Sequence, residues 1–297
     1  MIRKDKDKRI LLFGGSGLVG SRIIKLLNNR FQIIAPPHMK VDVTQRAQVD
    51  KIIEQVLPDH IIYAVGLTSV DKAEENSKLA YLLNTKAPTM VAEKASQLHI
   101  PILYFSTDAV FDGTKSISPY EESDKTNPIS MYGKSKLLGE QMVLALSDKN
   151  CVVRIITVYS HVTTEKRGFV QAVLEALSKG EKFQGITDQI INPIYVDDIV
   201  KAIYLLINSK SFGIYHLGAT DYITNYNFIR KLAKHLSLDE KLIEGITFKE
   251  FFKNKLAKRT KYCWLDTSLF RKEFGENVLH TVDESIMLFK KNLKRPS

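Results

Sequence analysis

Tyr132 and Lys136 stand four residues apart in Ser130–Leu146, a segment whose pattern predicts a helix. Residues with this spacing share one face of a helix, so the phenol and the ammonium group would be neighbours. A phenol can protonate the alkoxide that forms when hydride reaches a carbonyl carbon. A nearby cation lowers the pKa of such a phenol from its ordinary value of about 10. The pair therefore indicates a carbonyl reductase in which Lys136 also binds the nicotinamide ribose.

A second group of polar residues follows the predicted strand Ile102–Ser106 and reads Ser106-Thr107-Asp108. Ligands of parallel α/β sheets bind at the carboxyl ends of the strands, where Thr107 could orient a substrate carbonyl. A tyrosine and a lysine with this spacing are also common as an exposed helical pair. The prediction of a catalytic site therefore depends on their occurrence together with Thr107 and with a glycine-rich turn.

That turn lies between the first predicted strand and the first predicted helix and reads Gly-Gly-Ser-Gly-Leu-Val-Gly over 14–20. Glycines spaced in this way permit a tight turn, let the backbone approach a pyrophosphate and let the helix pack on the strand. The N-terminus of the following helix would then face the phosphates. The predicted dinucleotide contacts are Gly14, Ser16, Gly17, Leu18, Val19 and Gly20.

The end of the second predicted strand favours NADP(H), with NAD(H) as the alternative. No acidic residue that could hold the ribose hydroxyls occurs in Ala35-Pro36-Pro37. Arg22, His38 and Lys40 are cations that could meet a 2′-phosphate. Asp42 could accept a hydrogen bond from the adenine amino group or could be an ordinary turn residue.

The elements that would position these residues alternate along the first half of the chain. Strands are predicted at Arg9–Phe13, Phe31–Ala35, Ile61–Val65, Ile102–Ser106 and Val152–Val158. Helices are predicted at Leu18–Leu27, Val49–Val56, Leu79–Leu98 and Ser130–Leu146. This alternation predicts the α/β class, a Rossmann fold with a doubly wound parallel sheet.

After about Ser160 the pattern loosens. Further elements are predicted at Phe169–Lys179, Val196–Ile207, Ile214–Leu217, Phe228–Leu236, Phe248–Leu256 and Asp283–Leu293. We expect a Rossmann domain over residues 1–160. Residues 161–297 would complete the sheet and form a small C-terminal substrate lobe.

Composition limits the class of protein further. The 297 residues are 44% hydrophobic and carry a net charge of +10, with an excess of basic residues at both ends. The charge suits anionic ligands, but no basic and aromatic stripe indicates nucleic-acid binding. No apolar run predicts a membrane span, and no histidines or cysteines have metal-ligand spacing. Two isolated cysteines and the lack of an apolar leader favour the cytoplasm.

Several segments resemble the extended short-chain dehydrogenases, and most closely the dTDP-4-dehydrorhamnose reductase family. The resemblance covers nearly the whole chain. Beyond the glycine turn it is carried by LTSVDKAEE at 67–75, LLNT at 82–85, STDAVFDG at 106–113, PISMYGKSKLLGE at 128–140, DQIINPIYVDDI at 188–199, GIYHLGA at 213–219 and AKRTKYCWLDTS at 257–268.

The resemblance implies that Thr107, Tyr132 and Lys136 form a catalytic triad. The implied reaction is reduction of a nucleotide-linked 4-keto-deoxysugar for surface polysaccharide precursors. Implied cofactor contacts are Asp42, Val43, Ala64, Val65, Gly66, Asn84, Ser106, the catalytic Tyr132 and Lys136, and the backbone after Val158. Implied substrate contacts are Thr68, Val70, Thr107, Asp108 and Tyr132, and a homodimer would form through the Tyr132 helix and the helix near Asn84.

Three departures from the family pattern affect the substrate pocket. Ala109 and Thr157 stand where the family usually has aromatic residues, and Arg259 is followed by threonine instead of proline. Arg259 and Lys261 could bind a substrate diphosphate or form a solvated basic stretch. The alternatives to a reductase are a non-catalytic NADP-binding regulatory protein and a sugar-nucleotide epimerase. A dehydratase is disfavoured because Ala109 replaces its glutamate.

Overall fold

The computed structural model describes residues 5–162 and 168–293. The basic residues Arg3, Lys4, Lys294 and Arg295 lie outside them. Strands of the first half are β1 Arg9–Phe13, β2 Gln32–Ile34, β3 His60–Tyr63, β4 Ile102–Thr107, β5 Cys151–Ile155 and β6 Val158–Tyr159. Its helices are α1 Leu18–Leu27, α2 Arg46–Val56, α3 Val70–Glu75, α4 Ser77–Tyr81, α5 Ala87–Gln97 and α6 Met131–Leu146. Short 3₁₀ turns occur at Asp5–Asp7 and Asp108–Val110.

The second half contains shorter strands. These are β7 Phe183–Ile186, β8 Ile190–Ile191, β9 Ile194–Tyr195, β10 Gly213–Leu217, β11 Ile223–Thr224, β12 Ile243–Ile246 and β13 Tyr262–Cys263. Its helices are α7 Phe169–Ser178, α8 Val196–Asn208, α9 Asn225–Leu236, α10 Phe248–Phe251, α11 Ser268–Phe274 and α12 Val282–Leu293, and a 3₁₀ turn covers Glu240–Leu242.

Within the described residues the main sheet has six parallel strands in the order β10-β5-β4-β3-β1-β2. The chain passes from β1 to β2 on one side and then crosses to β3 on the other, so the topology reverses beside β1. Buried residues of α1, α8 and α11 cover one face, and those of α2, α5 and α6 cover the other. This is the doubly wound sheet of a Rossmann fold.

The prediction of one strand over Val152–Val158 is wrong. β5 ends at Ile155, and β6 pairs with β9 outside the main sheet. Thr157, between them, has a φ of 28°. A β-branched residue seldom takes a positive φ, which here redirects the chain from the sheet to the lobe.

The helix predicted over Leu79–Leu98 begins earlier and is interrupted. α4 leads into a π turn at Leu82–Lys86, and α5 follows. Pro88 has no N–H to donate to the carbonyl of Asn84, and the Tyr104 hydroxyl donates to that carbonyl instead, at 2.7 Å. The proline therefore leaves a backbone acceptor free in the helix, which accounts for the irregular turn at Asn84.

The remaining segments form a lobe beside the carboxyl ends of the sheet strands. The lobe has its own apolar cluster, separate from those on the two faces of the main sheet. It includes Tyr159, Val173, Phe228, Trp264 and Phe289. The helix predicted over Phe248–Leu256 ends at Phe251 because the chain then turns back, and the Ala257 N–H donates to Asp71 at 3.2 Å.

None of the helices in the described parts of the chain is long and apolar enough to cross a membrane.

Candidate active site

The glycine turn joins β1 to α1 and lies against the end of β3. Gly14 has a φ of 93°, and a Cβ there would lie 2.7 Å from the carbonyl of Ala64. A Cβ on Gly20 would lie 2.1 Å from the Gly14 carbonyl oxygen. These positions exclude a side chain, so the backbone of α1 comes close to the sheet edge. The N-cap of α1 is Gly17, which has no side chain. No capping side chain from this residue therefore blocks the helix N-terminus, where phosphate oxygens would bind.

Asn84 holds the loop that follows β3. It is fully buried, its Oδ1 accepts from the Leu67 N–H at 2.9 Å, and its amide group donates to the Leu67 carbonyl and the Ser135 hydroxyl. A Cβ on Gly66 would lie 2.8 Å from Asn84 Oδ1 and 3.9 Å from Lys136 Nζ. Asn84 therefore fixes the Ala64-Val65-Gly66 segment next to Lys136. Direct contact between Asn84 and a cofactor stays a prediction.

The region around β2 corrects one expectation. Arg22 is buried, and its guanidinium donates to both carboxylate oxygens of Asp197, at 2.5 and 2.7 Å. Its predicted role with a 2′-phosphate is therefore wrong, because the guanidinium is buried and Asp197 binds it at two points. His38 and Lys40 are exposed and keep that predicted role.

Asp42 forms a local turn. Its Oδ1 accepts from the backbone N–H and the hydroxyl of Thr44, and these bonds lower the carboxyl pKa. Val43 points its side chain into the core, so only its backbone is open to a ligand.

Thr107, Asp108 and Tyr132 come together at the end of β4. The Thr107 hydroxyl donates to Asp108 Oδ1 at 2.9 Å and accepts from the Ala109 N–H at 3.2 Å. The Tyr132 side chain lies close enough to Thr107 for the threonine hydroxyl to lower the tyrosine pKa. Ser130 caps α6 through its bond to the Gly133 N–H, which orients the first turn that carries Tyr132.

Burial shifts the titration of three site residues. It raises the pKa of Tyr132 to about 12, although the Thr107 hydrogen bond acts in the opposite direction. It raises the pKa of Asp108 to about 6 and lowers the pKa of Lys136 to about 7. The expected lowering of the Tyr132 pKa by Lys136 and the nicotinamide charge stays a prediction for the cofactor complex; the buried lysine donates to the Phe105 carbonyl. At neutral pH Tyr132 is therefore a protonated phenol, the form that a proton donor requires.

Ser106 is the other buried polar residue of this strand end. Its hydroxyl is one of three buried side-chain polar atoms in the described residues that have no hydrogen-bond partner. An unpaired buried hydroxyl is unfavourable unless a ligand or water pairs with it. Its position fits the predicted cofactor contact.

A cleft opens between these residues and the lobe. It is lined by Val70, Thr107, Asp108, Ala109, Ser130, Tyr132, Thr157, Gln189, Ile191, Asn225, Lys258, Arg259, Thr260 and Cys263. The structure thus brings together the predicted substrate contacts, except that Thr68 is exposed and does not line the cleft. Ala109 and Thr157, where aromatic residues were expected, both face it.

The basic stretch of the lobe is divided between two environments. Arg259 lines the cleft and pairs with Asp71 at 2.9 Å, and Lys258 lines the cleft beside it. Lys261 instead pairs with Asp188 at 2.7 Å and does not line the cleft. Sequence reasoning missed Lys258, although its position next to Arg259 was a signal. It also missed Gln189, Asn225 and Cys263, because nothing in the sequence around these residues indicates that they line one cleft.

Trp264 is buried, donates from its indole N–H to the Lys115 carbonyl at 3.0 Å and contacts Tyr222 edge to face. Trp264 therefore packs within the lobe.

A doubly wound parallel sheet that presents a tyrosine and lysine helix beside a glycine turn is the arrangement of the short-chain dehydrogenases/reductases. The lobe over the strand ends is the addition that distinguishes their extended members.

Comparisons with known proteins agree with this class. A sequence model described as "RmlD substrate binding domain" matches residues 8–291. The dTDP-4-dehydrorhamnose reductase of Aggregatibacter actinomycetemcomitans is 31% identical over 280 residues, with 90% of this chain and 93% of the relative covered. The enzyme of that name from Salmonella typhimurium is 34% identical, with 80% of each chain covered.

Solved structures extend the comparison. A dTDP-4-dehydrorhamnose reductase from Bacillus anthracis, in complex with NADP, superposes with a TM-score of 0.90 at 26% identity, covering 96% of this chain and 99% of that one. The UDP-glucose 4-epimerase of Thermus thermophilus, at 18% identity and a TM-score of 0.82, shares the fold. The chain belongs to the RmlD, or dTDP-4-dehydrorhamnose reductase, family.

Proposed function

We propose that the protein is an NADPH-dependent reductase that converts the 4-keto group of a nucleotide-linked deoxysugar to an alcohol, with dTDP-4-dehydrorhamnose as substrate. The observation that carries this proposal is the position of Tyr132, a phenol whose pKa is raised by burial to about 12, beside Thr107 in a cleft bordered by Lys258 and Arg259. The relatives named as reductases of this sugar nucleotide support it.

The residues of this chain fit a dinucleotide cofactor. The positions of Gly14 and Gly20 have no room for a side chain, and the unpartnered hydroxyl of Ser106 offers a hydrogen bond at the adjacent strand end. When bound, NADPH supplies the hydride. The NADP bound to the Bacillus anthracis relative favours NADP(H) over NAD(H).

Thr107 and Tyr132 would bind the keto oxygen, and Tyr132 would protonate that oxygen as the carbonyl carbon is reduced. Lys136 would bind the nicotinamide ribose and stabilise the tyrosinate left after proton transfer. Both roles require that Lys136 carries its charge.

The substrate would enter between the sheet edge and the lobe. Val70 and Asp108 line the sugar side of this route. Lys258 and Arg259 lie on the lobe side and would bind the diphosphate through charge-assisted hydrogen bonds. Thr68 stays a predicted contact for a closed form of the cleft.

The two alternatives are not favoured. A regulatory protein needs no proton donor, whereas Thr107 and Tyr132 are both present and line the same cleft. The epimerase from Thermus thermophilus shares only the fold with this chain.

The test is NADPH oxidation, followed by absorbance, with dTDP-4-dehydrorhamnose generated in place. We expect turnover with NADPH, slower turnover with NADH, and the 4-hydroxy sugar as product. NADPH binding without turnover of this sugar would contradict the proposed substrate, and a panel of other nucleotide-linked keto sugars would then be compared.

We further propose a homodimer through α4 and α6. These helices expose large apolar side chains, namely Leu79, Tyr81, Leu138 and Met142. Met142→Glu should convert the dimer to a monomer in light scattering, whereas Met287→Glu, at an exposed position of α12, should not. A monomeric wild type would contradict this proposal.

The proposed location is the cytoplasm, where thiols stay reduced. Its support is that Cys151 and Cys263 are both free and buried. Cell fractionation tests it.

A further inference from the structure

A buried carboxylate lies next to the catalytic lysine. Glu140 is one helical turn beyond Lys136 on α6, on the same face, and the two residues are 1% and 5% exposed. Two side chains that normally carry opposite charges are thus removed from water together. Lys and Glu are almost never so deeply buried unless they are paired.

Arg154 on β5 binds the same carboxylate. Its Nε lies 3.0 Å from Glu140 Oε1, and its Nη2 lies 2.7 Å from Oε2. The guanidinium also stacks 5.1 Å from the centre of the Phe111 ring and lies 3.3 Å from His216 Nε2. This two-point bond fixes the carboxylate, whose charge also acts on Lys136 one helical turn away.

The groups that lie directly against the Lys136 ammonium are neutral. Its ammonium group donates to the Phe105 carbonyl and lies 4.0 Å from the centre of the Tyr104 ring. Burial lowers the pKa of Lys136 to about 7, and the charge of Glu140 acts in the opposite direction. A lysine in such a site is therefore sensitive to any change in the neighbouring carboxylate.

The close packing of α6 against its neighbours limits the movement of these charged side chains. A Cβ on Gly139 would lie 2.2 Å from the Asn84 carbonyl oxygen and 2.7 Å from the Tyr104 hydroxyl. The helix consequently lies directly against β4 and the π turn. This packing leaves little room for the side chains of Glu140 and Lys136 to rearrange.

We infer that Glu140 is a positioning residue for the reduction: its carboxylate, oriented by Arg154, keeps Lys136 charged and in place for the cofactor ribose and Tyr132. The inference rests on the proposed function for the role of Lys136. It assigns the Glu140 and Arg154 pair an electrostatic role in the reaction in addition to its part in the packing of α6 on β5.

Other ionisable groups lie on α6 and on or next to the neighbouring strands β4, β5 and β10. They are Tyr132 on the same helix, Tyr104 on β4, Asp108 after β4, Arg154 on β5 and His216 on β10. Burial, reinforced by Arg154, lowers the pKa of His216 to about 3, so this histidine is neutral at working pH. Glu140 is therefore the negative charge that can be removed without touching the residues proposed to contact substrate.

The experiment compares two variants whose effects should have opposite signs. In E140Q/R154M both charges of the pair are gone, so the variant buries no unpaired ion. Lys136 then loses its proton more easily, and the alkaline limb of kcat/KM for the keto sugar should move to lower pH by about one unit. In R154M the carboxylate serves Lys136 alone, and the limb should move to higher pH.

If the pair has only a structural role, both variants should have a lower kcat at all pH values, and the alkaline limb of kcat/KM should stay at the wild-type pH. That result would overturn the inference. E140D, which keeps the charge, should keep the wild-type limb. If R154M does not fold, the double variant decides the matter alone, with thermal melting as the check on folding.

The pH dependence of NADPH affinity separates this inference from the proposed function. The affinity should fall as pH rises through the Lys136 pKa, and in E140Q/R154M the fall should begin about one unit lower. A wild type that binds NADPH but does not reduce the sugar contradicts the proposed substrate and leaves this measurement intact. Identical affinity profiles for wild type and double variant would overturn the inference.

Discussion

The pKa of Tyr132 decides whether this residue enters the reaction as a proton donor or as a tyrosinate. Burial raises this pKa to about 12, and the Thr107 hydrogen bond acts against the shift. A phenol with such a pKa holds its proton at neutral pH until an alkoxide forms next to it. In the proposed reaction, Lys136 would stabilise the tyrosinate after proton transfer, and the ground state would stay a neutral acid.

Tyr132→Phe should lower kcat/KM for the keto sugar by about 10²–10⁴-fold, because the proton donor is lost. NADPH affinity should stay near that of the wild type, since the cofactor is bound mainly by the glycine turn. Stopped-flow turnover and a fluorescence titration measure the two effects. Tyr222→Phe, at an exposed position, is the matched control, and wild-type turnover in Tyr132→Phe would contradict the assignment.

The raised pKa of Asp108 can be tested through the pH dependence of the free energy of unfolding. Its folded-state pKa of about 6 lies above the ordinary value of 3.8, so folding favours the protonated form. The stability that this proton contributes is present below about pH 4 and is lost as pH rises through 6, a change on the order of 2–3 kcal/mol.

Asp108→Asn should therefore be more stable than wild type at pH 8 and should lose that advantage at pH 4. Urea unfolding at the two pH values measures this difference. An equal difference at both pH values would show that Asp108 does not titrate as its burial requires.

Among the elements, the strands and helices with strong periodicity were predictable from sequence, and the interruptions were not. β1, α1 and α6 lie within a residue of their predicted bounds. The break at Thr157 depends on pairing between β6 and β9, and at the turn caused by Pro88 the free Asn84 carbonyl accepts from the Tyr104 hydroxyl of a distant strand. Such contacts between distant segments leave no mark on local periodicity.

The glycine turn permits a test with a matched pair of variants. A Cβ on Gly20 would lie 2.1 Å from the Gly14 carbonyl oxygen, whereas a Cβ on Gly17 would have its nearest neighbour at 3.4 Å. Gly20→Ala should therefore lower the melting temperature by several degrees, in line with a local clash. Gly17→Ala should melt like the wild type and bind NADPH more weakly, because its methyl group meets the pyrophosphate. Equal melting of the two variants would contradict this geometry.

At the scale of the whole molecule, the candidate site joins segments that are more than a hundred residues apart. The residues proposed to be catalytic could be predicted from sequence because they follow one strand and begin one helix. Gln189, Asn225 and Cys263 could not, since they reach the cleft only when the lobe folds over the sheet.

The sheet also depends on residues beyond the predicted boundary at 160. β10 pairs with β5 along its whole length, and Asp197 at the start of α8 neutralises the buried Arg22 of α1. A fragment of residues 1–160 should therefore be unfolded or aggregated, which circular dichroism and light scattering would detect. A monomeric fragment with cooperative melting would instead establish residues 1–160 as an independent domain.

Lys258 and Arg259, at the lobe side of the cleft, have a kinetic consequence for a protein with a net charge of +10. Both ligands of the proposed reaction are polyanions, and a cleft of positive potential draws them in by long-range attraction. Salt screens this attraction over about 8 Å at physiological ionic strength. Raising the ionic strength therefore slows the arrival of both ligands, while hydride transfer in the closed complex keeps its rate.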